Sequence, residues 1–331
     1  MNPNCIAVAS MDRDYAGPMR IFIYSFKYYH PDIPINIYIL DDYTPDQDIL
    51  DRYPDVKFIP FKAEKCHKFI TDNIDNISKV SFINNTYGPD KIINMFAYLE
   101  AIDELIATRQ YDVIIKSDLD TLWCGSIMND LIAFIKSELP VAATREDTPP
   151  VYADMVDSDI YKKHIDTGGF FCFGIALYNA RLLTSNICDT VFNTMRKCNM
   201  SEFVYLDQDA LSLSYPEKFV LKCIFQASSA PGITTRDTYI LHYNLPAKPF
   251  AVANVPVIRY HHLFRTYATY RDIAIVIGCS TEFITQINDS ITKIKTCLVG
   301  ANVDHDALLL RCKCTKTLQN LKKAISKNTH L

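Results

Sequence analysis

Two aspartates separated by one residue, Asp118 and Asp120, are the sharpest chemical signal in this chain of 331 residues. They follow directly after the apolar run Val113-Ile114-Ile115 and Lys116-Ser117. Side chains two residues apart in an extended segment point the same way, so both carboxylates can hold one hard divalent cation. Such a cation can bridge a diphosphate and neutralise the charge that builds on it as a bond breaks. The alternative is structural, because Ser117 and Asp120 also fit a helix capping box.

A second cluster, Asp207-Gln208-Asp209, follows the apolar run 203–206 and precedes residues with a helical pattern. A carboxylate and an amide at the start of a helix can bind sugar hydroxyls or the anomeric region of a sugar. The structural alternative is that Asp207 is only the N-cap of this helix.

A third cluster begins at His242, which follows the strand-like run 239–241, and ends at the cation Lys248, six residues later. A lone histidine is more often structural than catalytic. Here His242 is a candidate third metal ligand, and Lys248 can hold a departing phosphate as a point charge.

The elements that must position these clusters alternate between apolar strands and longer helical segments. We predict strands at 6–9, 35–40, 56–60 and 113–115, and helices at 19–29, 91–107 and 179–196. A further apolar run stands at 170–173. This alternation is typical of an α/β, Rossmann-like fold with a mostly parallel central sheet flanked by helices. Ligands of such sheets bind beyond the carboxyl ends of the strands. Asp12, Asp41 and Asp42 follow strand ends as Asp118 and Asp120 do, and we expect them to line one rim.

The composition narrows the class of protein. A net charge of -4 gives no indication of a nucleic-acid partner. The 11 cysteines are scattered and contain no C-x-x-C pair, which predicts reduced thiols in a cytoplasmic protein. The strand-like run 5–9 leaves no room for a secretory signal, and no apolar stretch is long enough for a membrane span. Because the nine glycines form none of the usual phosphate-binding loops, a nucleotide must be held another way, and a metal ion is the obvious substitute.

The pattern changes near residue 250, and we predict one domain over 1–250 and a mostly helical, basic C-terminal extension over 251–331. The stretch Arg311–Lys327 carries six Lys or Arg residues and no acidic residue. This tail either contacts an anionic membrane surface peripherally, near a lipid-linked acceptor, or forms a solvated helical face.

These motifs, in this order, resemble glycosyltransferase family 8, which includes glycogenin and the bacterial lipopolysaccharide galactosyl- and glucosyltransferases. The resemblance spans about residues 4–250. It rests on five short segments: Asp12-Arg13-Asp14-Tyr15, Asp118-Leu119-Asp120, Asp166-Thr167-Gly168, Asp207-Gln208-Asp209, and His242 to Phe250.

The resemblance implies a GT-A fold, a UDP-sugar donor, Mn²⁺ (or Mg²⁺), a glycan or glycolipid acceptor, and hexose transfer with retention of anomeric configuration. It assigns a role to each matching residue. The implied metal ligands are Asp118, Asp120 and His242; the residues at the uracil and ribose end are Asp12 and Tyr15; those around the donor sugar are Asp166, Gly168, Asp207 and Gln208; the diphosphate contact is Lys248; and the counterpart of the donor-binding Arg or Lys of the family is Lys91.

This sequence departs from the family pattern at four positions. Leu245 stands where the family has glycine, which removes the expected backbone contact to phosphate. Asp166 replaces asparagine and adds a negative charge near the sugar, and Phe250 replaces tryptophan. Lys116 stands where a hydrophobic or aromatic residue is commoner.

Two alternatives to a retaining transferase stay open on the sequence. One is an inverting GT-A transferase, and the other is an inactive nucleotide-sugar-binding module that serves as an assembly partner. Retention itself allows two routes. Gln208 or a nearby carboxylate attacks the anomeric carbon first, or the acceptor enters on the face that UDP leaves, with Gln208 as a stabiliser. We favour the second route, because an amide is a poor nucleophile.

Overall fold

The computed structural model of the chain describes residues 3–80, 89–146, 158–222, 224–226, 240–243, 248–250, 264–300 and 323. The departure at Leu245 lies outside these residues, as does the predicted basic stretch Arg311–Lys327 apart from Lys323.

The described residues form strands and helices with the following bounds. The strands are β1 Cys5–Met11, β2 Ile35–Ile39, β3 Val56–Pro60, β4 Val113–Ser117, β5 Thr121–Trp123, β6 Val141–Glu146, β7 Phe170–Asn179, β8 Phe219–Val220, β9 Ile224–Gln226 and β10 Ile240–His242. The helices are α1 Ala16–Tyr29, α2 Gln47–Arg52, α3 Glu64–Asp72, α4 Ile74–Ile77, α5 Pro89–Thr108, α6 Met128–Lys136, α7 Asp159–Asp166, α8 Ile187–Lys197, α9 Leu206–Ser214, α10 Phe264–Val276 and α11 Thr281–Gly300.

The chain divides into two compact units, each made of three separate segments. The first unit comprises Met1–Arg13, Ile33–Ser117 and Met128–Leu221. The second comprises Asp14–Asp32, Asp118–Ile127 and Lys222–Leu331. This division is not the predicted one at residue 250, and a separate extension over 251–331 stays a prediction.

The first unit is built on a mostly parallel sheet in the order β3-β2-β1-β4-β7-β6-β8. The pairings from β3 to β4 are parallel, β7 is antiparallel to both its neighbours, and β8 is parallel to β6. Among the described strands of this sheet, β7 is therefore the one that runs against the rest. Strand β4 is central and fully buried, as the run Val113-Ile114-Ile115 predicted.

Lys116, a departure from the family pattern, has a structural explanation within β4. Its side chain is buried, and its ammonium donates to the carbonyl oxygens of Phe173 at 2.8 Å and Gly174 at 3.5 Å. The pairing of β6 with β7 shifts register between Ala143 and Thr144, and residues 173–175 of β7 are skipped in that pairing. Buried carbonyl groups need a hydrogen-bond donor. Lys116 therefore donates to two carbonyl oxygens of β7 that lie in the segment skipped by the pairing with β6.

The second unit contains a small sheet in the order β5-β10-β9, together with α1, α10 and α11. Helix α1 packs on β5, where the indole of Trp123 meets Phe26 edge-on at a ring distance of 4.8 Å. The backbone N–H of Trp123 also donates to the hydroxyl of Ser25 at 3.2 Å. These contacts hold the segment that carries Asp118 and Asp120 against α1.

The predicted elements match the described ones closely, with one correction. The strand predicted at 56–60 is β3, and the helix predicted at 91–107 is α5. The helix predicted over 179–196 is wrong in its first part, because β7 continues to Asn179 and α8 begins at Ile187. Because β7 pairs with both β4 and β6, the strand continues well beyond the apolar run 170–173 and occupies the residue at which the helix was predicted to begin.

Among the helices that the structure describes, none combines the length and the apolar character needed to cross a bilayer.

Candidate active site

Asp118, Asp120 and His242 come together in the second unit. Nε2 of His242 lies 3.3 Å from Oδ2 of Asp118 and 3.4 Å from Oδ1 of Asp120. One ligand atom of each residue lies within 4.8 Å of those of the other two. Asp120 and His242 are buried, whereas the side chain of Asp118 is 40% exposed, so the cluster opens to solvent on the side of Asp118.

Strand pairing explains why a histidine far along the chain reaches the two aspartates. β10 runs antiparallel to β5, and His242 stands opposite Thr121, the residue after Asp120. Beyond the strand, the backbone N–H of Tyr243 donates to the carbonyl oxygen of Asp120 at 2.9 Å. The register of this pair therefore places the imidazole beside the carboxylates.

The segment between the two aspartates differs from the sequence-based expectation in its local conformation. Leu119 and Asp120 lie in a bend rather than an extended stretch, and the hydroxyl of Thr121 donates to the carbonyl oxygen of Asp118 at 2.8 Å. The bend still brings both carboxylates to one imidazole. A strand, β5, follows Asp120, so the alternative of a helix capping box at Ser117 and Asp120 is wrong.

Lys248 and Tyr15 belong to the same cluster. The ammonium of Lys248 lies 2.9 Å from Oδ2 of Asp120 and donates a short hydrogen bond to the hydroxyl oxygen of Tyr15. Tyr15 stands at the N-cap position of α1. The second unit thus collects two carboxylates, one imidazole, one ammonium and one phenol at a single place.

The protonation states at this cluster follow from burial and charge. Burial acts to raise the pKa of the Asp120 carboxyl, but the charge of Lys248 and the imidazole of His242 outweigh it and hold that pKa well below its usual range. Burial acts to lower the pKa of Lys248, and the charge of Asp120 reverses this and raises that pKa above its usual range. Burial also raises the pKa of Tyr15 to about 12. At neutral pH these groups are therefore a carboxylate, an ammonium and a neutral phenol.

The cluster has the donor set and the spacing of a divalent metal site. Two carboxylates and an imidazole suit Mn²⁺, and the contacts of 3.3 and 3.4 Å approach the roughly 3 Å between neighbouring ligands of an octahedral ion with bonds of about 2.1 Å. Oδ1 of Asp120 is buried and, among the described residues, accepts no well-formed hydrogen bond. A buried carboxylate oxygen whose neighbouring imidazole lies as far as 3.4 Å away is poorly compensated unless a cation completes it. The residues therefore fit a metal.

The predicted uracil and ribose residues, Asp12 and Tyr15, and the predicted donor-binding Lys91 fall in different units. Tyr15 lies in the second unit, whereas Asp12 and Lys91 lie in the first. Oδ2 of Asp12 accepts a hydrogen bond of 2.8 Å from the side-chain amide of Asn94, and Lys91 is exposed one turn earlier on α5. Asp41, expected on the same rim, accepts from the backbone N–H of Arg13 at 2.7 Å.

Asp166 and Gly168 lie in the first unit, where α7 ends. Asp166 is the last residue of α7 and is exposed. Gly168 and Gly169 have φ angles of +92° and +105°, and the N–H of Gly169 donates to the carbonyl oxygen of His164 at 2.7 Å. A side chain at residue 168 would be strained by this backbone conformation, so the turn by itself accounts for a glycine there.

Asp207 and Gln208 lie in the first turn of α9, also in the first unit. Tyr205 occupies the N-cap position, so the alternative that Asp207 is the N-cap is wrong. The third member of the cluster, Asp209, is turned away into the protein. Its Oδ2 accepts from the N–H groups of Val204 and Tyr205 at 2.7 and 2.9 Å, and its Oδ1 lies 2.8 Å from Nε2 of buried His164.

Two residues near the predicted site residues were not predicted from the sequence. His164 joins the end of α7 to the start of α9 through Asp209, and Asn94 holds Asp12. Neither lies in a motif, and both partners are distant in sequence. The spacing of His164, two residues before Asp166, is the one signal that connects it with the candidate sugar-binding segment.

Comparisons with known proteins bear on the fold. No protein-family model matches the sequence, and no curated protein matches it either. Among solved structures, the galactosyltransferase LgtC in complex with donor and acceptor sugar analogues is similar with a TM-score of 0.53 and 18% identity over 74% of this chain and 88% of LgtC. Mouse xyloside xylosyltransferase 1 in its apo form is similar with a TM-score of 0.51 and 14% identity over 73% of this chain and 98% of its own.

A third similar structure is the apo form of the glycosyltransferase GlyE from Streptococcus pneumoniae TIGR4. Its TM-score is 0.50, with 14% identity over 88% of this chain and 64% of GlyE. Identities this low establish the fold alone. The chain has the mixed α/β fold of GT-A glycosyltransferases, which confirms the predicted fold class.

Proposed function

We propose that the protein is a retaining glycosyltransferase of family 8 that transfers a hexose from a UDP-sugar to a hydroxyl group of a glycan or glycolipid. The observation that carries this proposal is the meeting of Asp118, Asp120 and His242 in the second unit of a chain with the GT-A fold. Two segments that are distant in sequence, 118–120 and 242–248, supply the metal ligands and the ammonium, which are the groups that stabilise a diphosphate leaving group.

Asp118, Asp120 and His242 would hold Mn²⁺, or Mg²⁺ in its place. The imidazole favours manganese, because magnesium prefers oxygen ligands alone. When bound, the ion supplies Lewis-acid stabilisation of the developing charge on the departing UDP. The half-exposed Asp118 leaves the cluster open to solvent on one side, where a diphosphate would have access to it.

Lys248 acts on the same leaving group. Its ammonium now pairs with Asp120 and is held by the hydroxyl of Tyr15. A diphosphate beside Asp120 offers stronger acceptors than the phenol, so Lys248 can keep the carboxylate and donate to a phosphate oxygen. Tyr15, neutral at physiological pH because burial raises its pKa to about 12, can donate a hydrogen bond to a phosphate or ribose oxygen.

The donor sugar would lie among Asp166, Gly168, Asp207 and Gln208. Asp207 and Gln208 present a carboxylate and an amide from the first turn of α9. In the route we favour, the acceptor oxygen bonds to the anomeric carbon on the face where the bond from that carbon to the β-phosphate oxygen breaks. The acceptor proton passes to the departing phosphate oxygen, and Gln208 stabilises the oxocarbenium character of the sugar.

Glucose and galactose are the donor sugars we propose first. The similar structures include one galactosyltransferase and one xylosyltransferase, so the fold is compatible with more than one sugar. Asp12 would serve the uracil and ribose end of the donor, and Lys91 would serve as the donor-binding cation. A cytoplasmic location, with the basic tail at the inner face of a membrane, remains a prediction from cysteine usage and tail composition.

The test is release of UDP from UDP-glucose, UDP-galactose and UDP-xylose in the presence of Mn²⁺ and in the presence of EDTA. We expect metal-dependent release from at least one of these donors, and its loss in Asp207→Ala or Gln208→Ala. Full activity in both variants would exclude the assigned sugar-side residues. Binding of UDP without release from any donor would favour the inactive binding module, and an inverted product would favour an inverting transferase.

A further inference from the structure

A group of aromatic side chains in the second unit connects helix α11 to the residues of the candidate metal site. Phe283 of α11 is 7% exposed, and its ring lies 5.7 Å from that of Phe250 and 6.4 Å from that of Tyr270. Phe250 in turn meets the ring of Tyr15 edge-on at 6.1 Å. Phe283 therefore supports the turn that carries Lys248, two residues before Phe250, and the tyrosine to which Lys248 donates.

The same ring rests on the backbone of α1. A Cβ atom added at Gly17 would lie 2.5 Å from Cγ of Phe283, closer than two carbon atoms can approach without a shift. Gly17 is two residues after Tyr15, in the first turn of α1. Glycine at this position thus lets the phenylalanine ring pack directly on the helix that begins at Tyr15.

A second chain of contacts reaches His242. The ring of Tyr270 lies 5.3 Å from that of Tyr243, the residue after His242, and both rings are fully buried. The N–H of Tyr243 also donates to the carbonyl oxygen of Asp120. The aromatic side chains therefore lie next to two pairs of site residues. One pair is Tyr15 and Lys248, and the other is Asp120 and His242.

The connection between α10 and α11 holds Phe283 in place. Gly278 has a φ of +71°, and the N–H of Cys279 donates to the carbonyl oxygen of Ala274 at 2.9 Å, which ends α10 in a left-handed turn. Arg20 of α1 donates to the carbonyl oxygen of Ile277 at 2.8 Å, in a buried position. At the start of α11, the hydroxyl of Ser280 accepts from the N–H of Phe283 at 3.2 Å, as an N-cap does.

We propose that Phe283 is a positioning residue for the diphosphate end of the donor site: packed on Gly17 and Phe250, it fixes the hydroxyl of Tyr15 and the ammonium of Lys248 relative to Asp120. The helices α10 and α11 are on this view part of the site and not an accessory to it. The inference rests on the proposed function, because it assigns Tyr15 and Lys248 to a nucleoside diphosphate.

The test compares Phe283→Ala, Gly17→Ala and the double variant with the unaltered full-length chain, with UDP affinity in the presence of Mn²⁺ measured by calorimetry. We expect each single change to weaken UDP binding about tenfold, which is ~1.4 kcal/mol. Mn²⁺ affinity without UDP should change less, because Asp118, Asp120 and His242 hold the ion directly. The double variant should bind UDP no more weakly than Phe283→Ala, because removal of the ring relieves the contact with the new methyl group.

Ile294→Ala is the matched control, since Ile294 is fully buried in the same helix about 16 Å further along its axis at 1.5 Å per residue. It should lower the melting temperature and leave UDP affinity unchanged. If Phe283→Ala does not fold, Phe283→Leu removes the ring contacts and keeps apolar volume. Single variants that bind UDP like the unaltered chain would overturn the inference alone. An unaltered chain that binds neither Mn²⁺ nor UDP would overturn the proposed function, and the inference with it.

Discussion

The ammonium of Lys248 lies 2.9 Å from Oδ2 of Asp120, with their side chains only 16% and 5% exposed. The carboxylate that we assign to a metal ion is therefore already paired with a cation of its own chain. Opposite charges so close and so poorly hydrated interact strongly, and removal of one partner leaves the other uncompensated. The relationship makes Lys248 both a competitor of the metal at Asp120 and a partner of any diphosphate that binds there.

Lys248→Met should separate these two effects. Without UDP, the variant should bind Mn²⁺ at least as tightly as the unaltered chain, because a positive charge next to the ion is removed. With Mn²⁺ present, UDP should bind about tenfold or more weakly, because a charge-assisted hydrogen bond to phosphate is lost. Titration calorimetry with each ligand measures both quantities.

Tyr15→Phe is the control for this prediction, since it removes the hydroxyl and keeps the ion pair between Lys248 and Asp120. It should leave Mn²⁺ affinity unchanged. Weaker Mn²⁺ binding by Lys248→Met in the absence of UDP would contradict the competition between the two cations.

Asp120→Asn should abolish metal-dependent UDP release. The change removes one negative charge from the ligand set and leaves Lys248 without its carboxylate. Asp112→Asn is the control. Asp112 directly precedes β4, whereas Asp118 directly follows it, and Asp112 also pairs with a cation, Arg181, at 2.7 Å. Binding of Mn²⁺, followed by electron paramagnetic resonance, should be lost in the first variant and kept in the second. Unaltered Mn²⁺ binding by Asp120→Asn would exclude the ligand assignment.

His30 should make the stability of the second unit depend on pH. Nε2 of His30 accepts from the N–H of Ile127 at 3.1 Å, so the ring is neutral, and burial lowers its pKa to about 4 from 6.5. The unfolded chain therefore binds the proton more readily, and stability is full above pH 6.5 and falls as the pH drops towards 4. At about 1.4 kcal/mol per pH unit, the loss is at most about 3 kcal/mol.

Urea unfolding between pH 4 and 7.5, followed by the fluorescence of Trp123, measures this effect. Trp123 is the single tryptophan of the chain, and its ring lies 5.4 Å from that of His30. His30→Gln keeps an acceptor for Ile127 and does not titrate in this range, so its stability should fall less on acidification. Parallel pH profiles of the two proteins would refute the assignment to His30.

Asp209→Asn should impair both stability and catalysis. Asp209 accepts from two backbone N–H groups and lies against His164, and an amide group there leaves at least one of these partners unsatisfied. We expect a loss of about 1–3 kcal/mol in the free energy of unfolding. We also expect slower UDP release, because the pair holds the end of α7 against the start of α9.

Asp103→Asn is the matched control for Asp209→Asn. Asp103 is also buried in the first unit and accepts from the N–H groups of Ile187 and Cys188 at 2.7 and 3.1 Å, at the start of α8. It should cost similar stability without slowing UDP release. Equal effects of the two variants on the rate would mean that Asp209 acts on stability alone.

Much of the first unit was predictable because its elements follow from local patterns. Buried parallel strands are nearly continuous apolar runs, and Cys5–Met11 and Val113–Ser117 stand out for that reason. The position of Asp118 after a central strand could be read in the same way. The length of β7 could not, because pairing with both neighbours, and not its own residues, carries it to Asn179.

By itself, the sequence determined the fold class and the residue types of a metal site, since both depend on spacing along a short stretch of chain. Only the tertiary structure decided that His242 stands opposite Thr121, that Lys248 pairs with Asp120, and that Asp209 turns inward to His164. These relationships depend on strand register and side-chain packing between segments that are distant in sequence, in two of the three cases by more than one hundred residues. Local propensity carries no information on such contacts, because they contribute to the free energy of folding only when both segments are in place.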